Sequence, residues 1–77
     1  MIVLTPRHIE LIKAKALLVL WGYPTQGVTL ADLVDITIEL CEDDFYHPSP
    51  RTVKAVIQAW KPPRRGRRYF HPDYLHT

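Results

Sequence analysis

Apolar residues recur at helical intervals in three stretches of the chain. In the first, Ile9, Ile12, Ala16, Leu17 and Leu20 keep the spacing that lines one face of an α-helix. Leu11, Leu18, Val19 and Trp21 widen that face beyond one stripe, so this helix is either central to the core or half of an oligomer contact. Thr5-Pro6 reads as its start. A threonine hydroxyl accepts an orphan N–H, and a proline at the first helical position loses no needed donor. Gly22 reads as the residue just past the end, with Pro24 as a stop. The pattern predicts a helix over about 6–21.

Residues 23–28 read as a turn, punctuated by Pro24 and Gly27. Thr29 then caps a second helix over about 29–41, with Asp32 in a shortened capping box. Leu30, Leu33, Val34, Thr37 and Leu40 or Cys41 share one face. Asp32, Asp35, Glu39 and Glu42 share the other. Ile36 and Ile38 disturb the stripe, and residues 35–40 alternate well enough for a strand. The cap and the helical period together favour helix. An acidic, aromatic loop follows: Glu42, Asp43, Asp44, Phe45, Tyr46 and His47.

Ser49-Pro50 repeats the cap-plus-proline start, and Val53, Val56, Ile57 and Trp60 form a regular core stripe. The pattern predicts a third helix over about 50–61, ended by Pro62-Pro63. Its outer face carries Arg51, Lys54, Ala55, Gln58 and Lys61. Beyond it, Gly66 sits between paired arginines in Arg64-Arg65-Gly66-Arg67-Arg68, which suits a tight turn at positive φ.

Charge sharpens this picture. Residues 1–50 hold three basic groups against seven acids, a balance of −4, and residues 51–77 hold seven against one, a balance of +6. A basic segment backed by an acidic half is the layout of a polyanion-binding domain; the plainer reading is a solvated basic tail. At 77 residues the chain has room for one modest core. Its longest apolar run, residues 16–22, falls far short of the ~20 residues a membrane span needs. Residues 1–4 have no basic region ahead of a long apolar core, so no secretory leader is expected, and a cytoplasmic setting is the default. One cysteine excludes an internal disulfide framework.

The order of elements, helix, capped helix, basic helix and then an arginine-glycine loop, resembles winged helix-turn-helix domains. Residues 28–75 carry the likeness. Thr29-Leu30-Ala31-Asp32-Leu33 looks like the start of their second helix, Ser49-Pro50-Arg51-Thr52-Val53 like the start of their recognition helix, and residues 64–70 like their wing. The segment from Gly66 to Leu75 is also similar to the wing and closing segment of MerR-like and excisionase-like domains. Two features depart from the pattern. The loop between the second and third helices is long, and Pro62 and Pro63 remove donors where a first wing strand would pair. The resemblance therefore implies a mainly α, three-helix winged fold in a single domain, with a short or irregular wing over about 62–71.

It also implies duplex DNA binding, as a small transcription or recombination accessory factor. The third helix would enter a major groove. Arg51, Thr52, Ala55 and Gln58 would lie towards base edges, with Arg51 suited to guanine and Gln58, two turns in, either to adenine or to the backbone alone. Lys54, Lys61, Arg64, Arg65, Arg67 and Arg68 would meet the backbone or a narrow minor groove. All seven cations of the last third are expected on one ridge. Tyr69, Phe70 and Tyr74 either stack unpaired bases or, as packing needs favour, hold the wing onto the third helix near Trp60.

Other chemistries rank lower. Cys41, His47, His71 and His76 match no common zinc spacing. Cys41 with a histidine, or Glu42 with Asp43 and Asp44, lacks any supporting catalytic motif. Neither an enzyme, a cofactor, a metal nor a small-molecule substrate is expected. The serious rival is a protein-binding adaptor that uses the first helix or the basic segment. A homodimer seam on the first helix is one form of it.

Overall fold

The computed structural model describes residues 5–73. Residues 1–4, read above for a leader, and Tyr74, Leu75 and His76 of the closing segment lie outside the described residues. The order is α1 (Pro6–Gly22), β1 (Val28–Thr29), α2 (Leu30–Glu42), α3 (Pro50–Trp60), β2 (Arg64–Arg65) and β3 (Arg68–Tyr69). The strands form one antiparallel sheet in the order β1-β3-β2. Three helices with a small sheet at the C-terminal side make the fold mainly helical and consistent with a winged helix.

Each helix starts where its cap is. Thr5, Thr29 and Ser49 stand in extended backbone, and their side-chain oxygens accept from the N–H of His8, Asp32 and Thr52. Each bond satisfies a donor that a first helical turn leaves orphaned. Residues 35–40 are helical, so the alternative strand is not formed. The core is one cluster: Ile12, Ala16, Val19 and Leu20 of α1; Leu33, Val34 and Cys41 of α2; Val53, Val56 and Ile57 of α3; and Val28 and Tyr69 of the sheet. On α1 the buried set is narrower than the apolar pattern suggests, because one helix face meets α2 and α3 while Leu18 is exposed and Trp21, edge-on to the His71 ring at 5.0 Å, keeps most of its surface open.

Two ends differ from the sequence reading. Gly22 belongs to α1, and it is not left-handed; the cap is Tyr23, whose N–H donates to the Leu20 carbonyl. The segment read as a turn up to Val28 ends in a strand, because Val28 and Thr29 pair with Tyr69 and Arg68. The α2 C-terminus closes in a Schellman arrangement. Phe45 N–H donates to the Glu42 carbonyl at 3.0 Å, and Tyr46 N–H to the Cys41 carbonyl at 3.2 Å. The loop beyond is fastened to α1 by a Lys15–Asp44 ion pair at 3.0 Å and by His8 stacked on Tyr46 at 4.3 Å. Burial pushes the Cys41 thiol above its ordinary pKa and the Tyr46 phenol likewise.

Thr37 sits in the middle of α2 with no solvent contact, and its hydroxyl has no hydrogen-bond partner. An orphaned buried hydroxyl costs about 1–3 kcal/mol, and a valine has nearly the same shape without that cost. Thr37→Val is expected to stabilise the fold by about 1 kcal/mol. A chain of this size should then melt about 4–8 °C higher. A lower melting temperature in a calorimetric scan would mean that the hydroxyl is bonded in solution.

Candidate nucleic-acid interface

The amphipathic pattern of α3 determines which side chains it offers. Val53, Val56 and Ile57 are drawn into the core, which leaves Arg51, Lys54, Ala55, Gln58 and Lys61 exposed. Three neighbouring elements divide that face. Arg51 and Lys54 line a shallow groove between α3 and the start of α2, floored by Leu30, Ala31, Val34 and Pro50, with Asp35 on its rim. Gln58 and Lys61 line a second cleft with Arg64, against a wall of Ile57, Pro62 and Tyr69. Ala55 turns towards α1, sharing a third groove with Ile9, Lys13, Ala59 and Trp60.

The second cleft exists because of how α3 stops. Lys61 adopts a left-handed conformation, φ 56° and ψ 61°, with its N–H on the Ile57 carbonyl at 2.9 Å. That conformation sends the chain back along α3, and it avoids the right-handed region disfavoured before a proline. Pro62 is buried, and Pro63 contributes only a carbonyl, which accepts from Phe70 N–H at 2.9 Å. The prolines precede the paired residues, so they do not prevent a hairpin. Arg64 pairs with Tyr69 and Arg65 with Arg68. The two-residue loop has positive φ at Gly66 alone of its residues, the geometry of a II′ turn that matches strand twist.

Strand alternation then separates the arginines. Directly opposed residues share a sheet face and neighbours in sequence do not. Arg64 therefore goes with Tyr69 towards α3, and Arg65 goes with Arg68 to the other face. Arg68 reaches back over β1, where its guanidinium donates to the Gly27 carbonyl at 3.5 Å and lines a cleft with Asp32, Tyr23 and Gln26. The seven cations thus do not form one ridge. Arg51, Lys54, Lys61 and Arg64 lie along α3 and its adjoining cleft, Arg67 stands in the turn, and Arg65 and Arg68 diverge. All seven are exposed. Among the described residues, the basic side chains with a carboxylate oxygen within 4 Å are Lys15, His47 and His71, so none of these seven is neutralised by an acid within that distance.

Thr52 is tied into the cap: its N–H donates to Ser49 Oγ at 3.1 Å, and its hydroxyl accepts from Ser49 at 2.9 Å. Tyr69 and Phe70 are buried, which is the packing alternative. Tyr69 lies against Ile57, while Phe70 covers Gly27. Trp60 is on the other side of α3, with the Lys13 ammonium 5.8 Å from its ring centre. Cys41 is buried, and no group of three metal-ligating side chains forms among the described residues. No helix among them is long and apolar enough to cross a membrane. The left-handed Lys61 was missed in the sequence, because a lysine carries no signal for that conformation. Gly27 was read there only as turn punctuation, and its place beneath Phe70 and Arg68 was not foreseen. Comparison of the chain with protein-family models, with curated proteins and with solved structures yields no match.

Proposed function

We propose that this chain is a winged helix-turn-helix module that binds duplex DNA, with α3 in the major groove and the hairpin beside it, as a small transcription or recombination accessory factor. The observation that carries this reading is the cleft where Gln58 and Lys61 of α3 meet Arg64 of the hairpin, continued along the same helix by exposed Arg51 and Lys54. A row of exposed cations along one helix, none paired with an acid, suits the regular spacing of backbone phosphates. In this arrangement Arg51, in the first turn, faces base edges and is suited to the O6 and N7 of guanine. Lys54, Lys61 and Arg64 hold phosphates and set the register. Arg67 reaches the backbone from the turn. Arg68, bound to the Gly27 carbonyl, fixes the hairpin against β1. The exposed acidic stripe of α2, Asp32, Asp35, Glu39 and Glu42, borders the basic face, with Asp35 on the rim of the groove that Arg51 and Lys54 line, and disfavours approach of a polyanion across α2.

The test is a titration of labelled random-sequence duplex followed by fluorescence anisotropy at several salt concentrations. With about five phosphates neutralised, log K should fall against log salt with a slope near −4.5. A slope near zero, or no binding at low salt, would remove the electrostatic basis of this reading.

A further inference from the structure

The DNA-binding reading uses α3 and the hairpin and leaves a second surface unused. Leu11, Ala14, Leu18 and Trp21 follow one another along α1 at spacings of three, four and three, the rhythm of a coiled-coil seam. None of the four is in the buried core; Leu18 is 60% exposed and Trp21 61%. Beside Leu11 and Ala14, in a groove they line together, the loop after α2 presents Phe45 with 92% of its surface exposed. Phe45 also carries strain. It holds the left-handed position of the Schellman turn at φ 59°, where glycine is the usual occupant and a bulky side chain is disfavoured. A ring held on a strained backbone with almost all of its surface open to solvent gains from a contact outside its own chain.

We propose that this surface is where a second copy of the chain docks, α1 against α1 and antiparallel. The seam is complementary to itself. Antiparallel pairing sets Leu11 of one copy against Trp21 of the other, and Ala14 against Leu18, large facing small, so that the side chains interdigitate. No charge occupies a seam position between Leu11 and Trp21, and opposed helix dipoles favour this direction. The area suffices for reversible association. With an aromatic side chain contributing roughly 150–250 Å², Phe45, Trp21 and Leu18 with their neighbours offer on the order of 500 Å² per copy. A pair then buries roughly 1,000 Å², the lower end for a specific contact. This inference does not depend on DNA binding.

Sedimentation of the full chain from about 1 to about 500 µM tests it, a range that brackets micromolar dissociation constants. The expected result is a monomer–dimer equilibrium in the micromolar range. Leu18→Glu and Phe45→Gly should each weaken it at least about tenfold, with helical circular dichroism retained. Phe45→Gly should also melt higher than the wild type at concentrations where both are monomeric, because glycine accepts the left-handed backbone. A purely structural Phe45 would give the reverse, and a lower melting temperature would overturn the strain argument. A wild type that stays monomeric throughout, or a dimer undiminished in both variants, would overturn the proposal. Duplex titrations of Leu18→Glu keep the two readings apart, since loss of the dimer with retained DNA binding supports this surface alone.

Discussion

Gly27→Ala is expected to destabilise the fold by about 2–4 kcal/mol, from two additive causes. The backbone at Gly27 has φ 74°, a region that costs a side-chain-bearing residue about 1–3 kcal/mol. A Cβ there would also stand 2.8 Å from Phe70 Cζ, 3.0 Å from Phe70 Cε1 and 3.0 Å from Arg68 Cβ. Phe70 is buried and cannot swing aside cheaply. Against a total stability of roughly 4–12 kcal/mol for a chain this short, that loss is severe. Gly22→Ala is the control. Its backbone is not left-handed, and nothing lies within 4 Å of a Cβ there, so the same substitution should stabilise by about 0.4–1 kcal/mol. Urea titrations of both variants read the contrast directly. Equal midpoints would mean that the sheet does not close over Gly27 in solution.

The double variant Lys61→Gln with Arg64→Gln is expected to lose duplex affinity on the order of 30-fold at 0.15 M salt. Each phosphate contact adds roughly −0.9 to the salt slope, so removing two of about five should bring it from near −4.5 to near −2.7. Both side chains are exposed and flank one cleft, so the fold should survive. Pairing the binding assay with a melting curve separates lost contacts from lost structure. An unchanged slope would place the phosphates elsewhere, and the α3–hairpin cleft would then have no part in binding. Lys61 offers a finer check. Its left-handed backbone suits glycine, so Lys61→Gly should weaken binding while the melting temperature holds or rises.

Much of the architecture was legible residue by residue. The three helix starts were readable because Thr5-Pro6, Thr29 and Ser49-Pro50 satisfy local donors, a matter of neighbours three residues apart. The α3 core stripe was readable because Val53, Val56 and Ile57 repeat at the helical period. The tight turn at Gly66 was readable from a glycine between basic pairs, but the hairpin around it was not, because Pro62 and Pro63 pointed to an irregular wing and the pairing begins just beyond them. The left-handed Phe45 and Lys61 were not readable either, since neither residue type prefers that backbone and each is held there by the turn that encloses it.

By itself the sequence determined the helices, their N-caps, the turn at Gly66 and the concentration of positive charge in the last third, all of which depend on local spacing and composition. Only the tertiary structure decided that Val28 and Thr29 become a strand, since they need β3 from forty residues away to complete their hydrogen bonds. It also decided how the arginines divide. Strand register sends Arg64 to the α3 cleft and Arg68 to the Gly27 carbonyl. Register is a relation between distant segments, and the charge pattern along the chain does not contain it.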